Sequence, residues 1–187
     1  MLKTMPKLLL KNVRFSYANV FTPKEDDKGK EKYSVSLLIP KSDKEQLKQL
    51  NAALDEIKKE ALAKFYPKKS ALPDGFKLPL RDGDNEREED EAYRGMYFMN
   101  ANSIKKPDVL DRAKQLITPE SGRFYSGCWG AVTVTFFTFD NEGKKGIACG
   151  LGNIMMLKDG EKLAGGSTGE EDFKDFEIPE DDEESML

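Results

Sequence analysis

The chain has 187 residues, 38% of them hydrophobic and 34% charged, with a net charge of −4. That is enough apolar sequence for one core under a heavily hydrated surface, and no apolar run is long enough to span a membrane. The chain has no histidine, which excludes Ser/His and Cys/His nucleophilic pairs and leaves a zinc site on Cys128 and Cys149 only thiolates and carboxylates to use. No cofactor or metal is therefore expected, and the two cysteines read as reduced, buried thiols.

In chain order, LLLKNVRFSYANVF alternates after its apolar start, with Val13, Phe15 and Tyr17 on one face and Asn12, Arg14 and Ser16 on the other. This predicts a strand. A charged turn, TPKEDDKGKEK, leads to a second strand, KYSVSLLIP, and the two suggest a hairpin. The spacing of Leu47, Leu50, Leu54, Ile57 and Ala61 predicts one long amphipathic helix, opened by a Ser42/Glu45 capping box and ended by Pro67. Residues 67–95 read as irregular, with two Asp-Gly turns. YRGMYFMNANS returns to strand, CWGAVTVTFFTFD is the clearest strand, and NEGKK is a tight turn into one or two more. From Ala164 onward the chain is Gly/Ser/Thr and then acid. The pattern predicts a mainly β protein with one long helix. The expected fold is an OB-fold-like antiparallel five-stranded barrel over residues 1–165, with extended loops, followed by a flexible, disordered acidic tail over 166–187.

Charge divides along the same line. Residues 167–187 carry ten acids and one base, a net −9, while residues 1–166 are +5. Within the acids stand Phe173 and Phe176, and the tail runs through Asp181, Asp182, Glu183 and Glu184 to Leu187. A tail made only for solubility needs no phenylalanine.

Catalytic motifs are missing. The acids of DGDNEREED (82–90) do not fit an EF-hand, because Gly83 stands second rather than sixth. GLGNIM has Met155 where a dinucleotide loop needs its third glycine. What remains is a binding surface. Bases sit beside rings at Arg14-Phe15, Lys32-Tyr33, Tyr93-Arg94 and Arg123-Phe124-Tyr125. Single-stranded nucleic acid is held this way, with bases stacked on rings and phosphates on Lys and Arg. Strand 128–139 sharpens the reading. Val132, Val134 and Phe136 make a core face; Trp129, Ala131, Thr133, Thr135, Phe137 and Phe139 make a half-wet face suited to a flat ligand.

SYANVF, KYSVSLLIPKSD, PLRDGD, YFMNANS, YSGCW and GLGNIMMLKDGEKL occur in this order. With them the chain resembles a family of phage and prophage proteins, formerly a domain of unknown function, whose characterised members bind single-stranded DNA. The resemblance covers about residues 8–165. It implies an OB-fold, DNA binding without catalysis, an acidic C-terminus, and a place in phage replication or recombination in the bacterial host cytoplasm. By position it marks Tyr17 and Phe21, Tyr125 and Trp129, and Arg81. Together with Arg14, Lys32, Arg94, Arg123, Phe137 and Phe139 these are the candidate DNA-binding residues. Phe173, Phe176, Asp181, Asp182, Glu183, Glu184 and Leu187 are the candidate residues for autoinhibition and for docking phage or host replication and recombination proteins. One departure stands out: many replication tails of this kind end on an aromatic carboxylate, and this one ends Ser185-Met186-Leu187. The sequence permits a homodimer without requiring one. The competing readings are a protein-interaction module or DNA-mimic regulator without DNA binding of its own and, more distantly, a metal-dependent nuclease.

Overall fold

The computed structural model describes residues 7–163 and 173–179. The elements in chain order are β1 (Leu8–Glu25), β2 (Glu31–Pro40), α1 (Lys44–Phe65), β3 (Arg81–Asp82), α2 (Gly83–Glu86), β4 (Met96–Ser103), β5 (Val109–Leu110), β6 (Trp129–Asn141) and β7 (Lys144–Lys158). Single 3-10 turns lie at Glu91–Tyr93 and Pro119–Ser121.

Five of these strands close a barrel in the order β1-β2-β4-β7-β6 and back to β1. The fold is the OB-like one expected. The closing seam, however, is parallel: Ala101 pairs with Cys149 and Asn102 with Gly150. The other four seams are antiparallel as expected, and this one is the exception. Its cause is that no hairpin joins β4 to β7, so the long connection between them leaves their direction free.

Alternation sorts the strand residues. Phe15, Val35, Leu37, Ile39, Met99, Ala101, Val132, Val134 and Phe136 point inward and are buried in a single core. The helix stripe Leu47, Leu50, Leu54, Ile57 and Ala61 enters the same core, so α1 does not lie over the outer face of β6. Burying each of the larger side chains contributes about 1.5–3 kcal/mol. The helix begins one residue later than its capping-box pattern suggests. Asp43 is the cap, and its carboxylate accepts from the Gln46 N–H at 3.2 Å. Asp43 and Gln46 also hold Asn12 of β1, which Ser42 and Glu45 do not do.

Residues 81–95 are not an open loop. They fold as a lobe over the outer ends of β2 and β4, where Leu38, Tyr93 and Phe98 make a second, smaller core. Lys41 pins the lobe by donating to Asp82 at 2.6 Å and Asp84 at 2.7 Å. Those two bonds hold the Lys41 ammonium well above its ordinary range, and the same contact, with the Gly95 N–H, holds Asp84 below its own. The carboxylates of PLRDGD are thus turned onto a lysine. Among the described residues, no three potential ligands converge as a metal site.

Candidate nucleic-acid interface

The register lines up one outward row across all five barrel strands. Asn19 pairs with Ser34, Ser34 with Asn102, Asn102 with Gly150 and Gly150 with Thr135. Every member is small and polar or lacks a side chain, so the row forms a low belt around one side of the barrel. Two exposed rings bracket it: Tyr17, two residues before Asn19, is 56% exposed, and Phe137, two residues after Thr135, is 50% exposed.

Beyond Phe137 the belt opens into a cleft of about 530 Å³ between two turns, lined among others by Lys28, Lys30, Lys32, Asn102, Phe137, Phe139 and Ala148. Both turns are built locally. Asp26 accepts from the N–H groups of Lys28 and Lys30, each at 2.9 Å, and Gly29 supplies the positive φ. The backbone donors, Lys30 first, hold the Asp26 carboxyl below its usual range. Glu142 and Gly143 both have positive φ, giving the two-residue hairpin turn between β6 and β7 that NEGKK predicts. The Lys28 ammonium donates to Asn141 at 3.0 Å and ties the turns together. The acids of this cleft are Asp26, Asp27 and Asp140. Asp26 lies 3.5 Å from Lys32, while Lys30 has no ion pair among the described residues. β7 presents only small residues beside these rings, Ala148 opposite Phe137 and Gly146 opposite Phe139. A Cβ on Gly150 would come within 3.4 Å of the Phe137 ring, and one on Gly146 within 2.7 Å of the Phe139 ring.

Tyr17 is held differently. Its φ is +47°, an uncommon conformation for a residue this large, sustained by its surroundings. Its hydroxyl donates to Asp90 at 3.3 Å, and the Arg87 guanidinium lies 5.8 Å from its ring. The Asp90 charge, aided by burial, raises the Tyr17 hydroxyl above its ordinary value.

The remaining candidates from the sequence fall elsewhere. Arg14 donates to the carbonyls of Gly127 at 3.0 Å and Glu161 at 2.7 Å, beside Trp129, whose ring also faces Lys158 at 5.0 Å. Tyr125 donates to Asp159 at 2.8 Å and accepts from the Gly160 N–H at 3.1 Å. Burial raises its hydroxyl first, and Asp159 adds to the effect. Arg123 pairs with Asp111 at 3.1 Å. These four share one end of the barrel. Trp129 and Phe139 are ten strand residues apart, roughly 30 Å. Arg81 pairs with Glu86 at 2.9 Å and, with the exposed Arg94, belongs to the 81–95 lobe. Phe21 turns edge-on to Phe124 at 6.0 Å and packs against the core, which is why it does not join the exposed rings. The structure thus brings Lys32, Phe137 and Phe139 together, gathers Arg14, Arg123, Tyr125 and Trp129 at the other end, and sets Tyr17, Arg81 and Arg94 at the 81–95 lobe.

In the tail, Phe173 and Phe176 are exposed and meet edge-to-face at 6.0 Å across a turn closed by a 3.1 Å backbone hydrogen bond. Asp181, Asp182, Glu183, Glu184 and Leu187 lie outside the described residues.

Sequence reasoning missed Lys28 and Lys30 and four of the belt residues: Asn19, Ser34, Asn102 and Gly150. Ser34 and Asn102 stand at alternating positions in their strands, but only the register shows that they share a row.

A closed barrel with this strand order, an open polar belt and flanking loops defines an OB-fold binding protein, a fold whose outer face on its second and third strands, with the adjoining loops, takes oligonucleotides or oligosaccharides. The family described as "Enterobacter phage Enc34, ssDNA-binding protein" matches residues 6–186, and the chain belongs to this family of phage single-stranded DNA-binding proteins, whose function is binding rather than catalysis. Putative protein p50 of Acyrthosiphon pisum secondary endosymbiont phage 1 is 32% identical over 184 residues, which are 95% of this chain and 97% of that one. The solved structures that share the fold include these two. One is the single-stranded DNA-binding protein from bacteriophage Enc34 in complex with ssDNA, with a TM-score of 0.73 at 24% identity, covering 84% of this chain and 89% of that one. The other is gp2.5, a single-stranded DNA-binding protein encoded by bacteriophage T7, with a TM-score of 0.57 at 15% identity, covering 94% and 97%.

Proposed function

We propose that the chain is a sequence-independent single-stranded DNA-binding protein of phage replication or recombination, acting in the bacterial host cytoplasm. Residues 1–165 form the binding domain. One observation carries this reading: a flat polar belt, bracketed by two exposed rings, opens into a cleft that holds three lysines. Bases stack on Phe137 and Tyr17, and Lys28, Lys30 and Lys32 hold phosphates. The small belt residues let the strand lie close without reading its bases. The family match and the Enc34 and T7 single-stranded DNA-binding proteins named above support the same reading.

Residues 166–187 serve as a competitor tail. Their −9 charge imitates phosphates, and the Phe173/Phe176 pair imitates stacked bases on the same rings. A short Gly/Ser-rich tether, such as the sequence carries at 165–169, gives an arm of this kind an effective concentration on the order of millimolar. DNA displaces it, and the freed tail then docks phage or host replication proteins.

Polarisation titration with labelled oligo-dT at two salt concentrations tests the first claim. Expected is tight binding that weakens steeply with salt, as phosphate neutralisation requires. No binding at low salt would leave only the interaction-module reading. Removal of residues 167–187 tests the second. Tighter binding is expected at low salt, with the gap over full-length protein closing as salt screens the tail. Equal affinities at low salt would remove autoinhibition and keep partner docking.

A further inference from the structure

Past Phe139 stand further lysines. The Phe139 ring crosses Gly146 toward Lys77, whose Cβ approaches the same point, and residue 77 pairs alongside β7 as an added strand position. The Lys77 N–H donates to the Lys145 carbonyl at 3.1 Å, and the Ile147 N–H donates to the Lys77 carbonyl at 2.9 Å. Lys145 in turn lies over the rings of Phe65 and Tyr66, at 5.5 and 5.3 Å, at the C-terminus of α1. Lys64 lies 5.3 Å from the Phe65 ring and donates to Thr138 at 3.1 Å, and Lys69 lies 5.3 Å from the Tyr66 ring. Asp140 stands opposite Lys145 in the register, yet the ammonium turns to the rings. None of Lys64, Lys69, Lys77 and Lys145 belongs to an ion pair among the described residues.

This surface lies on the other face of the β6–β7 hairpin from Phe137 and Phe139, since Thr138, Asp140 and Lys145 alternate with them, and the Lys77 position along the edge of β7 joins the two faces. Its chemistry differs. The rings of Phe65 and Tyr66 are already faced by ammonium groups, so they orient lysines rather than offer open faces to bases. Cation–ring contact of this kind attracts an ammonium to the ring face without neutralising its charge. It limits the freedom of a long side chain before any phosphate arrives.

We propose that residues 64–69, Lys77 and Lys145 form a second, phosphate-tracking site for the continuation of the same single strand beyond the Phe137/Phe139 cleft. The inference rests on the single-stranded DNA-binding reading. It adds that the footprint extends over the end of α1, and that this extension holds backbone and not bases.

The experiment compares the full chain with Lys69→Gln/Lys145→Gln on labelled oligo-dT of about 6 and about 20 nucleotides, lengths chosen around the footprint of one OB-fold. On the long strand the double variant should bind about 3–10-fold more weakly, and its log–log salt slope should be smaller by about 1.4, two phosphates at about 0.7 each. On the short strand its affinity should stay within about twofold. Lys69 is exposed, so Lys69→Gln alone provides a variant whose folding is not at issue; it should show about half the slope change. Equal losses on both lengths, or no loss on the long strand, overturn the second site alone. Failure of the unaltered protein to bind either strand overturns the DNA-binding reading and this site with it.

Discussion

The two ends of β6 carry the same kind of residues and use them differently. At one end Trp129 has Arg14 and Lys158 beside it; at the other Phe137 has Lys28, Lys30 and Lys32 nearby. At the Trp129 end the polar groups have partners within the fold. Arg14 holds two carbonyls, Tyr125 holds Asp159 and Gly160, and Arg123 holds Asp111. At the Phe137 end the ring is half exposed beside Gly150, and Lys30 has no ion pair among the described residues. A ring and a base that the fold has already engaged on several sides have less left to offer a ligand, as the contrast between Trp129 and Phe137 shows.

The sharpest break of this comparison lies within two adjacent residues. Phe136→Ala should cost about 3–5 kcal/mol of stability, read as a shifted denaturation midpoint, because it empties part of the core. Phe137→Ala should leave that midpoint nearly in place. The reverse order would invert the two faces of the strand.

Binding separates the two ends next. Phe137→Ala should lose about 1–3 kcal/mol of oligo-dT affinity, the value of one stacked base. Trp129→Ala should lose less affinity and more stability, since its ring supports Arg14. A larger binding loss at Trp129 would move the DNA to the other end of the barrel.

Charge reversal gives a smaller contrast. Lys30→Glu should weaken binding to all sequences alike and lower the salt slope by at least about 0.7, one phosphate contact. Arg123→Glu should have the weaker effect on affinity, because it first breaks the pair with Asp111. An Arg123→Glu loss equal to that of Lys30→Glu would make both ends one site.

The smallest effect concerns acid. Asp111 is held below its ordinary carboxylate value of 3.8, chiefly by the Gln115 N–H and then by Arg123. A depressed carboxylate contributes stability that is fully present above its unfolded value and is lost as pH falls through its folded one. The difference in melting temperature between the protein and Asp111→Asn should therefore be flat near neutrality and shrink only below about pH 4. A difference that changes between pH 6 and 8 would point to another group.

Much of the fold was legible from local sequence. Leu47, Leu50, Leu54, Ile57 and Ala61 recur with helical spacing, and all five are buried. Val132, Val134 and Phe136 alternate with more open neighbours as a half-buried strand must. The Asn-Glu-Gly turn announces its hairpin, and the absence of histidine closes off whole classes of catalysis. These features depend on residues close in sequence, where backbone sterics and side-chain periodicity act directly. The belt of Asn19, Ser34, Asn102, Gly150 and Thr135 was beyond such reasoning, because its members come from five strands and meet only through register. The same holds for the fates of Arg14 and Arg123 and for the lysines gathered around Phe65 and Tyr66. A cation's partners lie up to 147 residues away in the case of Arg14 and Glu161, and which cations remain free for a ligand is settled only when the barrel closes.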